Sequence, residues 1–222
     1  MEQLKIKNLF EDLGQTQAKE LLEIAEYPWE VLAKIGDFIL ELGETLSEED
    51  YDKQGENVWI AKSAKIYPNN YITGPTIIGP DTEVRPGAFI RGNALVGANC
   101  VVGNSTELKN VILFNNVQVP HYNYVGDSIL GYKSHMGAGS ITSNVKSDKT
   151  LVTITCDGEK VSTERKKVGA ILGDNVEIGC GSVLNPGTVV GKNSNIYPLS
   201  MVRGYVPANS IYKKQGEVAE KQ

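Results

Sequence analysis

Aliphatic side chains recur every six residues from Ile60 to Leu108, and that period constrains the fold more than any other feature of the chain. Stepping by six meets Ile60, Ile66, Ile72, Ile78, Val84, Ile90, Val96, Val102 and Leu108, with no polar residue among them. Four places after the aliphatic, the residue is usually small: Ala64, Thr76, Thr82, Ala88, Ala94, Cys100 and Thr106. A helical face repeats near 3.6 and a half-buried strand at 2, so neither explains a strict six. The physical reading is a coil of short strands joined by tight corners. The aliphatic points inward, and the small residue fits where the wall bends. Each coil can bury its faces only against the coils above and below, so stability comes from stacking. Twenty-three glycines and only 7% aromatics suit many tight corners better than a helical bundle. The predicted fold class is all-β, a parallel β-helix.

A second run in another phase passes through Leu172, Ile178, Leu184, Val190, Ile196 and Val202. Between the runs the register breaks after Leu108. Val111 and Val117 fit a new phase, and Leu130 and Met136 fit that of the second run. From 145 to 170 the repeat vanishes. There the alternation around 151–155, Asp157-Gly158 and then 160–162 predicts a protruding hairpin, over about 150–166. Interruptions of a repeat tend to line its working face, so chemistry is expected between about 104 and 170.

Residues 1–50 carry no hexad. Thr16 is placed to cap a helix through Glu26, and Pro28 to open a second one to about Leu42. Leu21, Leu22, Ile24, Ile35, Ile39 and Leu40 supply their apolar faces, and the charged stretch from Ser47 to Glu56 reads as a linker. The division expected is a helical segment over 1–50, the β-helix over 51–212, and a polar tail over 213–222, as a short helix or frayed end.

A net charge of −5 makes the chain a poor nucleic-acid ligand, and it contains no long apolar run and no secretory leader. Cys100, Cys156 and Cys180 are odd in number and widely spaced, which argues against a disulfide framework or a structural zinc site. These features predict a soluble cytoplasmic protein with no membrane or nucleic-acid partner.

Only two histidines exist, His121 and His135, and both fall in the interrupted stretch. His121 is the candidate general base, since imidazole accepts a proton near neutral pH. Against that stands the plain reading of a polar residue at a corner. Lys109 follows Arg85 by 24 residues, His121 follows Lys109 by 12, and Asn144 follows His121 by 23, steps close to whole or part coils. Such side chains would meet along one edge and offer cations for phosphate, a base, and an amide for sugar hydroxyls.

The order Arg85-Pro86-Gly87-Ala88, Glu107-Leu108-Lys109, His121-Tyr122-Asn123-Tyr124-Val125-Gly126-Asp127, and Gly137-Ala138-Gly139-Ser140-Ile141-Thr142-Ser143-Asn144 resembles a known family. It is similar to the acetyltransferase domain of bifunctional N-acetylglucosamine-1-phosphate uridyltransferases, over about 58–212. Residues 144–148 and the hairpin look closer still to the long archaeal-type sugar-1-phosphate nucleotidylyltransferases. The resemblance implies a left-handed coil, trimers, and acetyl transfer from acetyl-CoA to glucosamine- or galactosamine-1-phosphate, with no active-site metal. It implies that His121 deprotonates the amine, that Arg85 and Lys109 grip the phosphate, and that Tyr124 and Asn144 orient the sugar. The Ala138 N–H would face the acetyl group, and CoA would run past Cys180. The family's downstream lysine is Lys146 or Lys149. The basic run Arg165-Lys166-Lys167 is either a solvated face or a contact to CoA phosphates.

The chain departs from the pattern at His135, where bacterial relatives carry Asn, and at Cys180, which replaces a serine and reads as a buried packing residue. Residues 1–50 show no Gly-rich nucleotide loop, so nucleotidyl transfer is not expected. Two other readings compete with acetyl transfer. One is a non-catalytic subunit docking a nucleotidyltransferase through apolar helix faces. The other is a γ-type carbonic anhydrase, which needs three imidazole ligands.

Overall fold

The computed structural model describes residues 1–214 and 217–220. The hexads fold into a parallel β-helix whose coils have three faces. Val58–Ala61, Thr76–Ile78, Ala94–Val96, Ala170–Leu172 and Thr188–Val190 belong to the first face. Lys65–Ile66, Glu83–Val84, Val101–Asn104, Gln118–His121, His135–Met136 and Glu177–Ile178 run down the second. Tyr71–Ile72, Phe89–Ile90, Ile141–Thr142, Val183–Leu184 and Met201–Val202 form most of the third. The strands Glu107–Leu113 and Tyr124–Leu130 run through the corner between the third and first faces, so those two faces share one hydrogen-bonded sheet.

The aliphatics of the repeat are the core. On the second face Val84, Val102, Val119, Met136 and Ile178 stack in register, all buried. Val84 pairs with Val102, 18 residues on, and Ile178 with Ile196, again 18. Between these regular coils lie shorter ones, since Val102 pairs with Val119 and Leu108 with Val125, steps of 17. The missing residue comes out of the corner between the third and first faces. Ile90 and Val96 are six apart there, but Leu108 and Leu113 only five, as are Val125 and Leu130. Asn110 and Asp127 turn these tight corners with φ of 56° and 48°, the left-handed region that Asn and Asp tolerate best. The phase break in the sequence is therefore two shortened corners.

The hairpin forms as expected, Thr153–Cys156 antiparallel to Glu159–Ser162, turning on Asp157 and Gly158 at φ 51° and 82°. It does not protrude. Val152, Ile154 and Cys156 are buried against the wall, and Gly187 and Gly204 clear room for it. A Cβ on Gly187 would stand 2.7 Å from a Val152 methyl. The period-2 pattern that predicted the hairpin also gave it an apolar face, and that face needed a partner.

The N-terminal elements are shorter than expected. A short helix, Ile6–Leu9, precedes the expected ones; the first of those forms only over Lys19–Glu23, with Thr16 capping only the Ala18 N–H. Pro28–Val31 is a 3₁₀ turn, and the longer helix begins at Ile35 and ends at Gly43. Leu21, Leu22, Ile35 and Ile39 are buried, Leu40 is half-buried, and Ile24 faces solvent. The expected linker instead supplies the strand Tyr51–Gln54, paired antiparallel with Val58–Ala61 as a lid on the first coil. At the other end Ser210–Lys214 and Glu217–Glu220 pair as an antiparallel hairpin, where a helix or frayed tail was expected. The rest of that tail, Gln215, Gly216, Lys221 and Gln222, lies outside the described residues.

The helical segment is fastened to the prism by polar and aromatic contacts. Phe10 packs on Phe114 with ring centroids 4.8 Å apart. Asn110 donates from Nδ2 to the Leu32 carbonyl at 3.0 Å. Buried Asp174 accepts from the Tyr132 N–H at 2.8 Å and from the Glu11 N–H at 2.7 Å. Asp174→Ala would leave both N–H groups without their acceptor. It should lower the unfolding free energy by about 2–4 kcal/mol. A urea midpoint equal to that of the parent protein would show that this carboxylate is not the fastening.

Candidate active site

The shortened corners gather the predicted side chains around a residue for which the sequence suggested no role. Asp127 is buried, with 3% exposure, and its carboxylate is the meeting point of three coils. Lys109 Nζ lies 3.0 Å from each carboxylate oxygen. Asn110 donates to Oδ1 at 2.9 Å from the same coil, and Asn144 to Oδ2 at 2.5 Å from the coil beyond. Asn144 also donates to the Tyr124 hydroxyl at 3.2 Å. A buried carboxylate is stable when its oxygens are paired and hydrogen-bonded, and here both are. Lys109, Tyr124 and Asn144 thus come together as expected, with Asp127 as the hub.

Two features make room for this cluster. A Cβ on Gly126 would stand 2.5 Å from the Tyr124 hydroxyl and 3.0 Å from Asn144 Nδ2, so only glycine lets the ring fold over. Beneath it, the chain departs for the hairpin after Asn144, and buried Thr142 and Ser128 fill the interrupted ladder. Thr142 Oγ1 accepts from the Gly126 N–H at 2.9 Å, and Ser128 Oγ accepts from the Ala170 N–H at 3.0 Å.

Arg85 is not part of the cluster. Val84 pairs with Val102, which puts Arg85 level with Gly103 at the corner between the second and third faces, where it pairs with Glu83 at 3.3 Å. The residue one coil above Lys109 is Arg91, 18 positions earlier, since Ile90 pairs with Leu108. Arg91 contacts Glu107 at 2.7 Å. A separation of 24 is one coil plus one face, so the spacing that suggested Arg85 put it on the wrong edge.

His121 occupies that second-to-third corner, across the narrow third face from Lys109. Its ring is exposed and hydrogen-bonds to no side chain among the described residues. Buried Asn123 holds its backbone: Oδ1 accepts from the His121 N–H at 3.1 Å, and Nδ2 donates to the Gly137 and Ser140 carbonyls. One coil below, the Gly139 N–H donates to the His121 carbonyl at 3.0 Å, so Ala138 lies beside the histidine. Ala138 is exposed, and its own N–H donates to no backbone group among the described residues. The Ala138 carbonyl accepts from Gly181, which puts Cys180 one coil further along the same corner. Cys180 is exposed rather than buried. The packing expectation assumed an inward position, but the residue falls on the outside of a corner.

His135 is on the second face, with Nδ1 2.8 Å from Glu177, and does not join the cluster. Of the two downstream lysines, Lys146 is tied to Thr150 at 2.6 Å, while Lys149 forms no ion pair among the described residues.

Half-burial, followed by the charge of Asp127, raises the pKa of the Tyr124 phenol above its ordinary value of 10.0. A raised value favours the protonated form in the folded state. The contribution is complete below the ordinary pKa and is lost as pH rises through the folded one. Difference absorbance at 295 nm between the parent protein and Tyr124→Phe should reveal a missing ionisation above pH 10. An ionisation at or below 10 would contradict the enclosed phenol.

The family model described as the GMPPB C-terminal domain matches residues 72–214. A "Bifunctional protein GlmU" of Methanococcus maripaludis (strain S2/LL) is 36% identical over 200 residues, covering 88% of this chain and 48% of that protein. The protein of the same description from Methanococcus vannielii is 40% identical over 120 residues, covering 54% of this chain and 29% of its own length. The chain therefore spans about half, or less, of these relatives. Among solved structures, the acetyltransferase domain of PglB from Neisseria gonorrhoeae, in complex with acetyl coenzyme A, overlaps 70% of this chain and 53% of its own. The overlap has a TM-score of 0.33 at 15% identity, too slight to transfer any residue.

Proposed function

Because the chain belongs to the GMPPB C-terminal domain family, and because its third face is bounded by an exposed imidazole on one edge and a cation–amide cluster on the other, we propose that it is an acetyl-CoA-dependent N-acetyltransferase acting on an amino-sugar 1-phosphate, glucosamine- or galactosamine-1-phosphate. The arrangement of Lys109, Tyr124 and Asn144 around Asp127, opposite His121, carries the reading. Relatives described as bifunctional GlmU proteins support it.

The roles follow from chemistry and position. His121 takes a proton from the acceptor amine as the nitrogen attacks the thioester carbonyl. The C–N bond forms, the C–S bond breaks, and the departing thiolate takes the proton from the imidazolium. The N–H of Ala138, which donates to no backbone group among the described residues, serves the oxyanion that develops between those steps. Lys109 and Arg91 are the cations for the acceptor phosphate, with Arg91 in the part first given to Arg85. Tyr124 and Asn144 hold sugar hydroxyls, and CoA runs along the corner of Ala138 and Cys180.

The assembly that fits is a homotrimer. Tyr71, Phe89 and Met201 stand exposed down the third face, and Tyr197 and Leu199 on the adjoining corner, with Leu199 at 85% exposure. Packing between copies would bury that strip and close a site between neighbouring prisms. The partner-subunit alternative loses its main support, because the apolar faces of the N-terminal helices are packed on the prism, with only Ile24 left out. No helix among the described residues is long and apolar enough to cross a membrane.

The test follows thiol release from acetyl-CoA with a panel of amino-sugar 1-phosphates. Release with one acceptor, and a kcat lower by about 10²–10⁴ in His121→Ala, is the expected result. Absence of release with every acceptor would sink the assignment. Arg91→Ala should raise the KM for the acceptor about tenfold or more, whereas Arg85→Ala should leave it within about twofold. The reverse ranking would return the phosphate to Arg85.

A further inference from the structure

The corner that carries His121 repeats one backbone feature on successive coils. One residue there lies in the left-handed region, and hydrogen bonds between coils stack these residues in a column. Asn69, Gly87, Ser105, Gly139 and Gly181 hold the place with φ between 54° and 77°, and all are small or polar. Two bulky residues break the pattern, Tyr122 at φ 52° and Leu199 at 57°. A large side chain in this region is a steric outlier, and such residues gather where the side chain is used. Burial gives Tyr122 no return, since 61% of it is exposed.

Leu199 belongs to the apolar strip assigned to packing between copies. Tyr122 stands among polar groups instead. Its hydroxyl accepts from Asn104 Nδ2 at 3.3 Å, on the coil above, and Asn104 Oδ1 accepts from Ser105 Oγ at 2.9 Å. The ring is therefore braced upward, away from Ala138 and Cys180. Below it the column holds Gly139, where a Cβ would meet nothing within 4 Å. The corner of His121 thus has an aromatic rim above and open space beneath. The phenol keeps its own proton to donate, and the ring offers an apolar face. That pairing suits a sugar, which presents both hydroxyls and a carbon face.

We propose that Tyr122, braced by Asn104, is a specificity-determining residue for the acceptor and holds the amine-bearing end of the sugar beside His121. The inference rests on the acetyl-transfer reading, and it leaves the phosphate end with Lys109 and Arg91 across the third face. It also orders the two substrates along the corner. The sugar meets the ring above His121, and CoA takes the open side below.

The experiment compares the parent protein with Tyr122→Asn and Tyr122→Phe. Asparagine tolerates the left-handed region better than tyrosine and already holds the column at Asn69, so the melting temperature of Tyr122→Asn should equal or exceed the parent's. Thiol release gives the KM for each substrate, and isothermal titration gives binding of glucosamine 1-phosphate and galactosamine 1-phosphate without turnover. In Tyr122→Asn the acceptor KM and the titrated Kd should rise about tenfold or more, with the acetyl-CoA KM within about twofold. Tyr122→Phe, which keeps the ring and loses the hydroxyl, should fall between. Equal acceptor affinity in the parent and Tyr122→Asn overturns the assignment and leaves acetyl transfer intact. A lower melting temperature, or a changed molar mass by light scattering, with both KM values moving together also overturns it, because the ring then serves the fold or the packing between copies. Ring-dependent binding of either sugar phosphate, by a protein that acetylates no amino sugar, upholds Tyr122 and removes the acetyl-transfer reading. Binding of neither sugar phosphate by the parent overturns both.

Discussion

Each coil of this prism has nothing to bury its inward aliphatics against except the coils above and below, and that dependence organises the rest of the molecule. A column such as Val84, Val102, Val119, Met136 and Ile178 is a core one side chain wide on each face, so register must be kept from end to end. The ends need covering, which the strand Tyr51–Gln54 does above and the Ser210–Lys214 hairpin does below. The corner between the third and first faces loses a residue twice in succession, at Asn110 and at Asp127, and the columns still meet, since Ile90 pairs with Leu108 and Val96 with Leu113.

That paired shortening is also what builds the candidate site. In a corner one residue tighter, Asp127 enters the left-handed region and its carboxylate becomes buried where solvent would otherwise reach it. It then needs donors, and the coil stack supplies them from its own coil's neighbours above and below. Lys109 and Asn144, which face acceptor in the proposed reaction, are thereby held through an anion rather than through packing alone. A cation pinned by a buried carboxylate presents less charge but a more defined position, a favourable exchange where orientation matters more than attraction.

The hairpin and the helical segment decorate one edge of the prism and meet across it. The hairpin folds flat because Val152, Ile154 and Cys156 share a face, and lying flat returns residues 165–167 to the corner that Asn144 leaves. The helical segment lies over the first face through Phe10, Leu32 and Ile39, and Leu32 reaches the same corner through Asn110. Two additions to a simple repeat thus line the edge of Lys109 and Asp127, while the His121 edge stays open.

Much of this was legible in the sequence, because a strict period of six with a small residue four places on admits few structures. The hexads specified the coil, the Asp-Gly turn specified the hairpin, and the ordered motifs pointed to His121, Lys109, Tyr124, Ala138 and Asn144. Three things were not legible, each because contacts across coils decide them. Arg85 and Arg91 are both basic residues beside aliphatics, and only the strand register shows which stands above Lys109. Asp127 sat in a motif without a role, since its burial follows from a corner whose length is visible only against its neighbours. Arg165–Lys167 read as either a solvated face or a contact to CoA phosphates, because the closure of the hairpin, which sets Lys167 against Val145, is a tertiary event. The sequence by itself determined the coil and the chemical kinds of its candidate groups, since hydrophobic period and residue type are local. Only the tertiary structure decided which of those groups share an edge, because stacking joins residues 17, 18 or 42 apart, and that count depends on every corner and insertion between them.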